Sequence, residues 1–448
     1  MAYRGIIATE SAQVPQNRIA LEDEEVAVSE AQELAAEIPA DLADAERSVD
    51  VAEGLQSVAE VADNIESPTA TDIALIQTAG DLAVAGSDVP AEEVIPVAGE
   101  ALESAIGRRI ATESIRETAV AIYRRLEAFV KRIWEKIEAF WHRHFGTLPR
   151  LKRKIEEMKK RVEATSGKKL EGDAKKFEIS SGLKALSVDY KAVKSGAELK
   201  SALDYLYTVA KEVYVSGAKG AAETGKEIAK LISEIEDSNI GEKAQKVCGV
   251  VANGFKQFDL RNVAKKDVSS QYGENYDVKE SESLLGSVKI LSKKADIRAV
   301  GQTTLAALES ARKTGVSLIQ AGDRDKEVSS VTFQTLNITE AENLLKLLSQ
   351  LVDVVENYER SAAYKDIKKA REELNQASAK AAGKVGKIKA GQEGGPSNED
   401  VAIFRACLNF NISYTNWTTS VQVGLSSRVA TTTSAVLALV AKSMSQYK

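Results

Sequence analysis

Residues 114–448 contain only two prolines, Pro149 and Pro396, so no pyrrolidine ring interrupts the backbone from residue 150 to residue 395. A proline inside a helix removes a backbone donor and clashes with the preceding turn, so a stretch this long without one is open to helix throughout. Residues 1–113 are a different material. Pro15, Pro39, Pro68, Pro90 and Pro96 all lie there, with a single aromatic, Tyr3. This block holds 24 Asp and Glu against 5 Arg and no Lys, a net 19 negative. An acidic, Ala-rich segment nearly without aromatics has little apolar surface to bury, and it is expected to be largely flexible. Leu34, Ile38, Leu42, Ala45 and Val49 do fall at helical spacing. Residues 114–448 hold 55 Lys and Arg against 42 acids, a net 13 positive, so the overall charge of −6 is the sum of two opposed blocks.

Helical periodicity is strong from Ser114. Ile115, Ala119, Ile122, Leu126, Phe129, Ile133, Ile137 and Phe140 step by three and four, Phe145 follows five residues on, and Trp134 and Trp141 lie on one flank. Gly146-Thr147-Leu148-Pro149 stops this helix, and Pro149 suits the first turn of the next. Leu151, Ile155, Met158 and Val162 form a second stripe, closed by Thr165-Ser166-Gly167. The pattern predicts a helical hairpin over 114–168. Residues 114–169 hold 16 Lys and Arg against 7 acids, which makes its outer face basic.

The body, 169–390, reads as further helices at Ala197–Tyr214, Lys219–Ile235, Thr303–Lys313 and Thr339–Glu359. Thr339 and Glu342 have the spacing of a capping box. Lys365–Ala382 reads as an exposed helix, and Gly391–Pro396 lies in a linker placed at 391–397. Short strands fit Lys176–Ile179, Val288–Leu291 and Val328–Phe333. Closing helices fit 398–448, where Phe404, Leu408, Trp417, Val421 and Leu425 recur in a Ser/Thr-rich background. The expected fold is mainly α with minor β: a basic helical hairpin, then a multi-helix body, preceded by an acidic, largely flexible segment.

Catalytic chemistry finds little support. His142 and His144 are the only histidines, and a spacing of two puts them on different sides of a helix, a poor arrangement for one metal ion. Cys248 and Cys407, the only cysteines, have no ligand-spaced neighbours and make no disulfide framework. Gly220-Ala-Ala-Glu-Thr-Gly225-Lys226-Glu227 matches a phosphate-binding loop except at its end, where Glu227 replaces the hydroxyl that would hold Mg²⁺. An Ala/Gly-rich helix is the plainer reading. No enzyme, cofactor or metal is expected. The N-terminal MAYRGIIATESAQ lacks a signal pattern, and the apolar run Ala435–Ala441 is too short to span a bilayer, so neither export nor membrane insertion is expected.

The basic hairpin allows three readings. It neutralises phosphates without reading sequence, it lies on a membrane, or it is a solvated face. Arg150, Lys152, Arg153, Lys154, Lys159 and Lys160 are the candidates for phosphate contact. Phosphate contact comes first among the three, and Glu127, Glu135, Glu138, Glu156 and Glu157, interspersed among the cations, keep the solvated face in play.

The pentapeptide Ile-Ala-Thr-Glu-Ser occurs at Ile7–Ser11 and again at Ile110–Ser114, where the charge changes sign. A repeat at both ends of an acidic block has the pattern of two processing sites around a removable propeptide, 1–113. With the Trp/Phe-rich basic segment Trp134 to Lys152, it resembles the internal head proteins of phiKZ-like giant tailed phages. The resemblance implies a virion protein made in the bacterial cytoplasm and packed inside the capsid with the genome. It implies trimming by the prohead protease after a small-x-Glu motif, matched by Ala8-Thr9-Glu10 before Ser11 and by Ala111-Thr112-Glu113 before Ser114. The implied partners are that protease, other head and core proteins, and packaged double-stranded DNA. Ala-x-Glu also occurs elsewhere, including Ala221–Glu223, Ala307–Glu309 and Ala370–Glu372 in the body, where a folded helix would hide it. Two other readings remain: a helical cytoplasmic scaffold or adaptor with an acidic tail, and a host-directed effector ejected with the DNA.

Overall fold

The computed structural model describes residues 135–142, 146–170, 175–179, 182–236, 238–258, 260, 263–272, 276–296, 304–322, 328–385 and 397–447. The acidic segment, both pentapeptides, the part of the helix expected from Ser114 that runs up to Trp134, His144 and Gly391–Pro396 lie outside these residues. Helix α1 covers residues 135–142 and α2 residues 146–165. Strands β1 (Lys176–Ile179), β2 (Ser187–Val188) and β3 (Lys191–Ala192) follow. Helix α3 (Gly196–Lys211) runs through a π-helical turn (Glu212–Gly217) into α4 (Ala218–Ser233), and α5 is Ile240–Phe258. Strands β4 (Ala264–Asp267), β5 (Tyr276–Ser281) and β6 (Val288–Ala295) precede α6 (Thr304–Arg312), β7 (Gly315–Gln320) and β8 (Val331–Gln334). Helices α7 (Ile338–Arg360), α8 (Ala362–Val385), α9 (Asn398–Leu408) and α10 (Phe410–Met444) complete the order. The fold is mainly helical with minor β. The proline-free stretch is nonetheless not all helix: every strand among the described residues lies inside it, because absence of proline permits helix without imposing it.

Helix α10 is the axis. Its 35 residues span about 52 Å at 1.5 Å per residue. It touches the π turn, α4, α6, α7, α8, α9 and β7, and side chains are buried all round it. Several of its hydroxyls are satisfied within the helix: Thr415 Oγ1 donates to Asn411 O (2.8 Å) and Thr418 Oγ1 to Tyr414 O (2.7 Å). By length and composition the segment Glu399–Met444 is long and apolar enough to cross a bilayer, which corrects the short estimate drawn from Ala435–Ala441. Here 61% of its most apolar window is buried inside the protein.

Against this axis α4 and α8 pack closely through small residues. Ala218, Ala221, Ala222 and Ala229 on α4 and Ala370, Ala377 and Ala381 on α8 are all buried. Helix α8 is therefore not the exposed helix expected at Lys365–Ala382. Helix α7 starts one step earlier than expected. Asn337 Oδ1 accepts from Glu340 N (2.8 Å), and Glu340 Oε2 accepts from Asn337 N (2.9 Å). The capping box is Asn337–Glu340 rather than Thr339–Glu342.

Strands β4, β5, β6 and β7 form an antiparallel sheet in chain order, with α6 in the last connection. The pleat sends Val288, Ile290, Val316 and Leu318 to one face. That face meets α10: Ser420 Oγ donates to Val316 O (3.1 Å), and Gly424 lets Leu318 approach. The opposite face carries a separate small cluster of Val268, Val278 and Leu291, flanked by Tyr276 and Ile319. Strand β1 pairs with β8. The β2–β3 hairpin turns on Asp189 and Tyr190, both at positive φ (50° and 61°), as a two-residue hairpin requires. One continuous core runs from Ile137 in α1 to Met444 in α10.

Candidate nucleic-acid interface

Helix α2 carries all six sequence-predicted phosphate contacts, and its packing sorts them. Leu148, Leu151, Ile155, Met158 and Val162 are buried, joined from α1 by Ile137, Phe140 and Trp141. Trp141 meets Tyr358 and Tyr364 with ring centroids 5.8 and 5.9 Å apart. Each fully buried large side chain contributes roughly 1.5–3 kcal/mol, whereas an exposed ion pair contributes about 0–1 kcal/mol. Apolar contact therefore fastens the pair α1–α2, and charge only adjusts its seat.

Arg150, Arg153 and Lys160 are exposed on the face of α2 opposite this stripe, together with Arg161. None of the four forms an ion pair with another described residue. Glu156 and Glu157 share their side of the helix. The other three candidates are engaged. Lys152 reaches across to α7, where Asp353 (2.5 Å) and Glu356 receive its ammonium and Glu356 also holds Arg360 (2.7 Å). Burial opposes the charge on Lys152, but hydrogen bonds to those two carboxylates outweigh it and raise its pKa. Lys159 pairs with Glu156 one turn back (2.6 Å). Lys154 lies half-buried on the opposite flank, where desolvation, partly offset by Glu157, lowers its pKa. Glu138 of α1 binds Lys368 of α8 (2.5 Å), a second seat for the pair.

A second cationic surface lies on the outer face of the sheet, and nothing in the sequence pattern singled it out. Register places Lys266, Tyr276, Glu280, Lys289, Lys293 and Ile319 on that face. Glu280 is bound by Lys266 (2.7 Å) and Lys289 (3.0 Å). Lys293 sits over the Tyr276 ring, 4.1 Å from its centroid. Tyr272, just before β5, is one of two exposed large hydrophobic side chains among the described residues, with Val215.

The remaining motifs resolve structurally. The near phosphate-binding sequence Gly220–Glu227 lies wholly inside α4, so no loop is present to cradle a phosphate. Its Gly225 is needed for packing: a Cβ there would lie 2.3 Å from the Tyr414 ring, whose hydroxyl donates to Ala221 O (2.9 Å). Cys248 and Cys407 are buried. Desolvation pushes the Cys248 thiol up to about 12 and Cys407 further in the same direction, which suits packing rather than nucleophilic chemistry. His142 is exposed at the end of α1. Among the described residues no three His, Cys, Asp or Glu gather as a metal site would need. An open cleft of about 810 Å³ beside β3 and α3 is lined by Tyr190, Lys191, Lys194, Glu198 and Tyr205 among others, with neither histidine nor cysteine. The eight cleavage-motif residues, Ala8 to Ser11 and Ala111 to Ser114, lie outside the described residues.

The described body is helical, built on one buried axis, with cationic side chains on two outer faces. The sequence matches the family model of phiKZ-like phage internal head proteins over residues 24–442, and the chain belongs to that family. Membership implies a structural protein of the virion, inside the phage head. No curated protein and no solved structure matches the chain.

Proposed function

We propose that this chain is the precursor of a virion protein matured by the prohead protease after Glu113, and that the mature form binds packaged DNA through its phosphates. The observation that carries this is the reversal of charge at the second Ile-Ala-Thr-Glu-Ser: net 19 negative before Ser114, net 13 positive from it. The prohead assembles before DNA enters, and an acidic segment screens the basic body until it is cut away. What remains is polycationic and attracts a polyanion without reading its sequence. A cut at Glu10 would trim the far end of the same segment.

Selectivity of the cut has a physical basis. Ala221–Glu223, Ala307–Glu309 and Ala370–Glu372 lie inside α4, α6 and α8, with Ala221 and Ala370 fully buried. A protease that needs extended backbone does not reach them. The other head and core proteins and the protease are the expected partners during assembly.

N-terminal sequencing of protein recovered from particles tests the processing. Ser114 is the expected first residue, and Glu113→Gln should block the cut. Intact Met1 or Ala2 termini throughout mature particles would overturn it. DNA binding is tested by titration with duplex of mixed sequence over a salt series. Protein from particles should bind more tightly than the full chain, whose acidic segment competes as a tethered polyanion. Replacing Arg150, Arg153 and Lys160 by glutamine, with Lys152 left in its seat, should lower the salt slope by roughly 2–3 units at about 0.9 per phosphate. Equal affinity for both forms would show that the charge division serves protein packing instead.

A further inference from the structure

We infer that the outer face of the β4–β7 sheet is a second DNA-backbone contact surface, formed by Lys293, Lys313 and Tyr272. The inference rests on the proposed DNA binding and names a site separate from α2. Three observations carry it. First, the sheet is committed on one side only: Val288, Ile290, Val316 and Leu318 join the core against α10, while the outer face has its own small cluster. Val268, Val278 and Leu291 of that cluster are buried.

Second, the cations of this face are unevenly balanced. Lys266 and Lys289 share one carboxylate, that of Glu280. Lys293 and Lys313 form no ion pair with a described residue, and the charge that acts on Lys293 is that of Lys313 itself. Lys293 pairs with Gly315 across the β6–β7 register, and Lys313 stands two residues before that glycine, at the exit of α6. Two ammonium groups held near each other on a partly dry surface repel. An anion placed between them relieves that repulsion as well as adding its own attraction. The desolvation that lowers the pKa of Lys293 works in the same direction.

Third, an aromatic ring packs against one of the cations. The Lys293 ammonium lies over the Tyr276 ring, 4.1 Å from its centroid, and is restrained there. Tyr272 is exposed and offers a hydroxyl donor with an apolar ring. Phosphodiester backbone presents what this arrangement takes: anionic oxygens along a line, with sugar surface between them. Phosphate contacts of this kind position a duplex and carry no sequence information.

The test uses the full chain at low ionic strength with a mixed-sequence duplex. Four proteins are compared: wild type, the α2 variant above, Lys293→Gln with Lys313→Gln, and Lys293→Arg with Lys313→Arg. The glutamine pair should lower the salt slope by roughly 2 units, at about 0.9 per phosphate contact, and should add to the α2 effect. The arginine pair should keep the wild-type slope. Tyr272→Ala should weaken binding without changing the slope. A glutamine pair that binds like wild type while the α2 variant is impaired overturns this site and leaves the proposed function standing. Loss in both the glutamine and the arginine pairs assigns the effect to folding and also overturns it. If neither the full chain nor protein from particles binds, the proposed DNA binding falls and this site with it.

Discussion

Single residues on the central axis are placed by contact rather than by chemistry. Tyr414 shows this. Its ring occupies the space that a side chain at position 225 would need, and burial drives its phenol well above the ordinary range. Gly225→Ala gains helix propensity of about 1 kcal/mol, but it must displace a buried, hydrogen-bonded ring, and overpacking costs about 1–3 kcal/mol. The net should be a destabilised protein, read as a lower denaturant midpoint; an unchanged or higher midpoint would show that Tyr414 moves freely. Gly286 is held for a second reason. Its φ is +87°, and a Cβ would lie 2.1 Å from Arg428 Nη1. Around Tyr414 several polar groups are linked across helices: Tyr358 donates to Gln422 Oε1 (2.7 Å), Tyr214 to Gln422 O (2.6 Å), and Arg371 Nη2 to Thr419 Oγ1 (2.6 Å). Burying Arg371 lowers its pKa, while the neighbouring tyrosines act to raise it. Periodicity reveals none of these partners, because they come from helices far apart in sequence.

At the scale of elements, apolar stripes were legible and small-residue faces were not. The stripe Leu151, Ile155, Met158, Val162 is buried as its spacing predicts, and β1 occupies the expected Lys176–Ile179. Helix α5 was missed: interior Gly249 and Asn253 dilute its pattern, and only tertiary packing of Ala244, Val247 and Val251 reveals its inner side. Helix α8 looked exposed because its buried side is mostly alanine, facing an equally small side of α4. Strands β4 and β5 were invisible because Lys265, Lys266, Lys279 and Glu280 read as solvent-facing. Of the six α2 cations, sequence correctly set them on one helix but had no means of seeing that Asp353 and Glu356 claim Lys152. In the sheet, Glu280 makes a pH prediction. Burial alone would raise its pKa, yet Lys266 and Lys289 hold it below the ordinary glutamate value. Its contribution is thus present above the unfolded pKa, about 4.3, and lost as pH falls through the lower folded value. Glu280→Gln should cost roughly 1–3 kcal/mol at neutral pH, and the gap from wild type should shrink below about pH 4, where unfolded-state carboxylates protonate. Urea midpoints across a pH series would measure this, and a gap independent of pH would refute it.

For the whole molecule the core is one body, and its stability should be graded from the axis outward. Helix α10 is enclosed by helices and sheet, whereas α2 shows a full charged face to water. Backbone amides of α10 should therefore exchange only through global unfolding, and those of α2 through smaller openings as well. Hydrogen exchange resolved by peptide would check this; faster exchange along α10 than along α2 would contradict its place at the centre. The position of that axis in the chain has a further consequence, for synthesis. Residues 410–444 leave the ribosome after all the elements they hold together. At about 5–20 residues per second, the ribosome needs roughly 2–7 s to make them. Until then, each helix and strand that will meet α10 keeps its inward face open to water, to chaperones and to neighbouring nascent chains. A translational pause ahead of residue 410 would lengthen that exposure.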